Sequence, residues 1–128
     1  MSNWTHVAGI IRVDLLRPLS DVQEIDFTKM IGKELEYDGD WDSYEEHPEE
    51  FLPAGSEGSL KMSVWANPEK NDATAYTVSI FGDLRHHDDP DEIIEWFKKI
   101  CEKFMVRQAC ITVENEWNGT KNWVYSTK

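Results

Sequence analysis

The stretch from Asp89 to Phe104 constrains the fold more than any other part of the chain. Ile93, Ile94, Phe97, Ile100, Cys101 and Phe104 recur at the 3.6-residue period of an amphipathic helix. Asp89 offers an N-cap, Pro90 suits the first helical position, and Asp91 and Glu92 put acids in the first turn. Lys98, Lys99 and Lys103 fall late, where they suit the negative end of the helix dipole. A stripe of that width must be buried against another layer, and the flanking sequence turns to strand patterns.

Trp4 to Val13 alternates, with Val7, Ile11 and Val13 on one side and His6, Ile10 and Arg12 on the other. Leu60 to Ala66 sets Leu60, Met62, Val64 and Ala66 against Lys61, Ser63 and Trp65. After the turn-rich Asn67 to Asp72, Ala75 to Gly82 returns with Tyr76, Val78 and Ile80 inward, which predicts a hairpin. Ala109 to Trp117 and Thr120 to Tyr125 flank Asn118-Gly119, the preferred two-residue hairpin turn. That register sets Glu116 against Lys121, Glu114 against Trp123 and Thr112 against Tyr125. Ser20 with Gln23 forms a capping box that opens a second helix through about Ile31, closed by Gly32, with Val22, Ile25 and Met30 inward.

The order strand, helix, strand, strand, helix, strand, with one more terminal strand, predicts an α+β fold of the ferredoxin-like split βαβ type. It is an antiparallel sheet with two helices on one face plus an extra C-terminal hairpin strand. At 128 residues the chain is expected to be a single domain, 1–128, large enough to bury a core without a disulfide or metal staple. With 40% hydrophobic and 12% aromatic residues it is not of disordered composition. No apolar run is long enough to span a bilayer, and no basic-then-apolar leader opens the chain. A cytoplasmic protein without membrane contact is expected. Cys101 falls on the buried face of the helix and Cys110 on the far side of the sheet, so both are expected reduced.

Charge is distributed unevenly. The chain carries 13 Lys+Arg and 25 Asp+Glu, a net charge of -12. Between Glu34 and Leu60 stand Glu34, Glu36, Asp38, Asp40, Asp42, Glu45, Glu46, Glu49, Glu50 and Glu57, with no Lys or Arg. This segment, about 34–59, reads as an acidic loop insertion in an otherwise nearly neutral domain; it is aromatic as well, through Tyr37, Trp41, Tyr44 and Phe51. Such a field repels phosphate backbones and attracts basic surfaces, so direct nucleic-acid binding is not expected.

Two sets of residues stand out as candidate sites. The first is Asp38, Asp40, Trp41, Asp42, Tyr44, Glu45 and Glu46, acids interleaved with aromatics; the bland alternative is a solvated acidic face. The second is Arg12, Trp65, Phe81, Trp123 and Tyr125, which the alternation above puts on the sheet face that no helix covers. The acidic segment folded over that face, a second copy making a homodimer, or a ligand would each explain them. His86-His87-Asp88-Asp89 with Asp83 resembles a metal cluster, but its acids already serve as helix cap and first turn, so no metal and no cofactor is expected. There is no nucleophile elbow, no His-Glu-x-x-His and no phosphate loop between strand and helix. An enzyme is therefore not the favoured class.

Trp4-Thr5-His6-Val7 through Ile11-Arg12-Val13-Asp14, the turn Pro53 to Ser59, and Tyr76 to Leu84 resemble segments of small uncharacterised acidic proteins encoded by bacteriophages. The resemblance spans most of the chain and carries no functional residues with it. It implies a context in which such proteins occupy a host protein, some by imitating nucleic-acid charge. The expectation is a non-enzymatic acidic binding protein, a phage accessory protein that occupies a basic surface of a host nucleic-acid-handling or antiviral defence protein in the host cytoplasm. The alternative is a small-ligand binder that sequesters a nucleotide-like molecule with the aromatics of the open sheet face.

Overall fold

Two long alternating strands organise the molecule. β1 (Trp4–Asp14) and β3 (Ala75–Arg85) pair antiparallel from Trp4↔Arg85 to Asp14↔Ala75, each carrying its apolar residues on one parity. The computed structural model describes residues 2–14, 26–66, 75–87 and 89–125. β2 (Lys61–Ala66) lies outside β3, while β4 (Val106–Asn115) and then β5 (Gly119–Val124) lie beyond β1. The sheet order is β2-β3-β1-β4-β5, and every neighbouring pair is antiparallel. With the helices α1 (Phe27–Ile31), α2 (Tyr37–Glu46) and α3 (Pro90–Cys101), the fold is α+β. No helix among the described residues is long and apolar enough to cross a membrane.

α3 forms where the spacing predicts it. Asp89 accepts a hydrogen bond from the Asp91 amide at 3.0 Å, and Pro90 occupies the first turn. Its buried stripe, Ile93, Ile94, Phe97, Ile100 and Cys101, packs against Val7, Ile11, Val78, Ile80, Ile111 and Val113 of the sheet. Full burial of each such side chain stabilises by about 1.5–3 kcal/mol. α1 adds Phe27 and Ile31 to this core, and the Phe27 ring meets Tyr76 edge-on at 5.3 Å. The Ser20–Gln23 capping box, Val22 and Ile25 lie outside the described residues. Within them, Asp26 caps α1 by accepting from the Lys29 amide, Gly32 is its C-cap, and Met30 packs against the core. Cys101 is buried, Cys110 is exposed, and both are free thiols.

The C-terminal hairpin departs from the expected register by three residues. Asn115 pairs with Gly119, Glu114 with Thr120 and Ile111 with Trp123, so the loop is Glu116-Trp117-Asn118 rather than Asn118-Gly119. The Asn115 side-chain oxygen accepts from the amides of Trp117 (3.0 Å) and Asn118 (2.9 Å), folding the loop around itself. Gly119 follows at φ 89°, the left-handed position that ends a three-residue hairpin loop. A slip by an odd number of residues turns every side chain of a strand to the other face. Trp123 and Tyr125 therefore pack against the main core, not on the open face, and Lys121 pairs with Val113 and reaches Asp91 at 2.9 Å.

The acidic insertion is not an irregular loop. Its centre is the ten-residue helix α2, followed by a 3-10 turn at Pro48–Glu50. Leu35, Phe51 and Ala54 form a small second cluster beneath it, with Tyr37 and Tyr44 packed on top. Nor does the segment cover the open sheet face, where Ile10 (47%), Trp65 (52%) and Phe81 (43%) remain exposed.

Candidate functional site

α2 is held to the domain through one side of its surface. The Tyr37 hydroxyl lies 2.7 Å from the Gly58 carbonyl and 2.9 Å from that of Gly55, donating one proton into both. Burial raises its pKa above the usual tyrosine range, with Tyr44 and Glu57 adding to the shift. The turn that receives it is itself clamped to the end of β3: the Ser56 amide donates to Arg85 O (2.8 Å), and the Arg85 amide donates to Glu57 O (2.9 Å). The Arg85 guanidinium closes the clamp on Glu57 at 2.6 Å.

From Tyr37 the aromatics climb outward along helical spacing. Tyr37 stacks on Trp41 at 6.0 Å, Trp41 tilts against Tyr44 at 5.8 Å, and Tyr44 meets Phe51 edge-on at 5.7 Å. Trp41 is the most outward ring of this ladder, 41% exposed. Asp38, Asp42, Glu45 and Glu46 surround it and form no ion pair among the described residues, while Asp40 accepts from the Glu36 amide at 3.1 Å. The two cations that bracket the segment are engaged elsewhere, Lys33 over the Phe51 ring at 4.7 Å and Lys61 near Glu34 at 3.8 Å. The seven residues Asp38, Asp40, Trp41, Asp42, Tyr44, Glu45 and Glu46 thus lie on one helix as an anionic surface with an aromatic centre.

The second candidate set is divided by the structure. Arg12, Trp65 and Phe81 share the open face, whereas Trp123 and Tyr125 do not. The pairing registers arrange that face in rows across the strands. Trp65, Thr77, Arg12 and Gln108 make one end, Ser79, Ile10, Cys110 and Val124 follow, and Phe81, Ala8, Thr112 and Asn122 come next. Asp83, His6 and Glu114 make the far end.

That far end holds a polar group that sequence reasoning missed. His6 Nδ1 lies 2.6 Å from Asp83 and its Nε2 lies 3.3 Å from Glu116, so both ring nitrogens face carboxylates. The Asp83 hydrogen bond is the main cause of a raised His6 pKa; burial works against it, and the Glu116 hydrogen bond adds a smaller rise. The signal was present in the alternation that pairs His6 with Asp83, but Glu116 reaches the ring only through the hairpin loop. Below the sheet plane, Asn115 Nδ2 donates to the buried Thr5 hydroxyl at 2.9 Å, and Thr5 donates in turn to the His87 carbonyl.

Among the described residues, neither surface pairs a nucleophile with a base. Cys101 is sealed in the core, and burial pushes its thiol up to about 11, which keeps it protonated at neutral pH. Comparison with known protein families, with curated proteins and with solved structures finds no match.

Proposed function

We propose that this chain is a non-enzymatic binding protein that docks the anionic, aromatic-centred surface of α2 on a basic protein surface. The observation that carries the reading is the Tyr37–Trp41–Tyr44 ladder ringed by carboxylates without local cations. Unpaired carboxylates at this density repel one another and do not serve stability, but they steer a basic partner over long range. The exposed Trp41 ring supplies the short-range anchor that such interfaces use. On the phage resemblance, the partner is a host nucleic-acid-handling or defence protein met in the cytoplasm. For the fold we propose the ferredoxin-like split βαβ sandwich with β5 appended, a reading supported by the antiparallel order β2-β3-β1-β4.

The test is capture of partners from host lysate, followed by association kinetics with the captured protein. Asp38, Asp40 and Asp42 changed to Asn together with Glu45 and Glu46 changed to Gln should keep the circular dichroism spectrum. The association rate at low salt should fall by about tenfold or more. Trp41→Ala should instead speed dissociation. Wild-type association by the neutralised variant at every salt concentration, or no captured protein at all, refutes the reading.

A further inference from the structure

The basic end of the open sheet face is built for an anion. β4 carries a bulge there: Arg12 pairs with Gln108 but Val13 pairs with Val106, which leaves Arg107 as an extra residue between them. A bulge re-aims the side chain it inserts. On the alternation of Ala109, Ile111 and Val113, Arg107 belongs to the core side; the bulge brings it out beside Arg12 and Gln108, and the three line a pocket of 410 Å³. Arg107 has a loose carboxylate neighbour in Asp14, at 3.9 Å. Arg12 is more telling, because its Nε is buried and makes no hydrogen bond among the described residues. A buried donor on a charged group left without an acceptor is destabilising, and native structures rarely keep one unless something else satisfies it.

A second pocket of 410 Å³ shares Arg12 and Gln108 and continues along Ile10, Cys110, Val124 and Tyr125. Its floor is largely apolar, and Arg12 is among its lining residues. At the opposite end of the face, Asp83, Glu114 and Glu116 would repel an anion, so the face has one orientation for a charged ligand. We propose that this groove binds a small organic anion, its carboxylate or phosphate on Arg12 and Arg107 and its flat apolar body over Ile10 and Val124. The assignment is independent of the α2 reading and differs from a nucleotide stacked between Trp65, Phe81 and Trp123, since Trp123 belongs to the core.

Cys110 lines the groove and is exposed while Cys101 is buried, so alkylation of Cys110 by uncharged iodoacetamide reports occupancy in the intact chain. Two arms distinguish the anion: 1-naphthoate for a carboxylate and adenosine 5′-monophosphate for a phosphate. At about ten times its dissociation constant, the binding anion should slow alkylation about tenfold. Its neutral counterpart, 1-naphthamide or adenosine, should not. Arg12→Gln, checked for an unchanged circular dichroism spectrum, should abolish the protection, and Arg107→Gln should weaken it. Lack of protection by both anions, equal protection by the neutral molecules, or protection that survives Arg12→Gln overturns the proposal. Protection that grows with protein concentration alone would put a second copy on the face and overturn it equally.

Discussion

The Trp123 indole meets the Phe97 ring edge to face, with centroids 5.8 Å apart and planes at 77°. The contact joins the last strand to the centre of α3, and Lys98 lies over the Trp123 ring at 5.9 Å. Phe97→Ala should therefore destabilise the protein by about 3–5 kcal/mol, as expected for a fully buried ring. Trp123→Ala should cost on the order of 2 kcal/mol, because its ring is only partly buried. Denaturant midpoints read both. A Trp123 variant of wild-type stability would mean that the ring does not belong to the core.

Asn115 decides which face Trp123 takes. Its oxygen holds two loop amides and its nitrogen the Thr5 hydroxyl, all at or below 3.0 Å, in a buried position. Asn115→Ala removes these three hydrogen bonds and a longer one to the His87 carbonyl (3.4 Å) and orphans buried partners, so a loss of about 2–3 kcal/mol is expected. In the variant, the β4–β5 cross-peaks in an NMR spectrum should weaken before those between β1 and β3. Uniform weakening across the sheet would count against a local role.

The parts of the fold that could be read from sequence are those with a periodic burial pattern. α3 buries six residues at helical spacing, and β1 and β3 bury alternate residues, so their elements and faces follow from the pattern. α2 buries none, and without an apolar period its acids read as loop. The Tyr37, Trp41, Tyr44 spacing was the available signal, and it acts through ring contacts rather than burial. In the last hairpin, Asn118-Gly119 is a strong turn dipeptide, yet Asn115 competes for the same amides and wins, which moves Trp123 and Tyr125 off the predicted face. The bulge at Arg107 has no local signature, since Arg107-Gln108 reads as ordinary alternation. Arg12, Trp65 and Phe81, whose strands kept their predicted parity, stand where expected.

Two glycines at positive φ should respond differently to the same substitution. At Gly119 (φ 89°) an added Cβ meets nothing within 4 Å, so Gly119→Ala should cost only the left-handed penalty of about 1–2 kcal/mol. At Gly58 (φ 80°) the Cβ would sit 2.0 Å from the Asp83 carbonyl oxygen, so the turn that anchors Tyr37 must move. Gly58→Ala should cost more than about 3 kcal/mol. Equal midpoints for the two variants would show that the turn is not clamped on β3.

His6 gives the fold a pH-dependent component of known sign. Its folded pKa is raised above 6.5 by Asp83 first and Glu116 second. The stabilisation is therefore complete below pH 6.5 and is lost as pH rises through the higher folded value. The imidazole titration followed by NMR should have its midpoint above 6.5 and return toward it in Asp83→Asn. The thermal midpoint of wild type relative to His6→Gln should fall across the same window. A difference that grows with pH would contradict the arrangement.

The acids of α2 should not act alike on their own helix. Asp38 and Asp40 stand in its first turn, where the positive end of the dipole favours them, and Asp40 also holds the Glu36 amide at 3.1 Å. Glu45 and Glu46 stand in the last turn, where no basic residue offsets the negative end. Asp40→Ala should therefore destabilise α2 by about 1 kcal/mol through the lost capping bond. Glu45→Gln with Glu46→Gln should stabilise it by a few tenths, roughly 0.3–1 kcal/mol, with the gain shrinking in high salt. Because α2 buries no residue of its own, global unfolding is a blunt probe of these effects, and amide hydrogen exchange within 40–46 is the measurement to use. Opposite signs at the two ends would mean that the C-terminal acids are kept against the helix's own preference, which suits a surface that serves a partner. Faster exchange in the Glu45, Glu46 double variant would instead make those carboxylates part of what holds the helix.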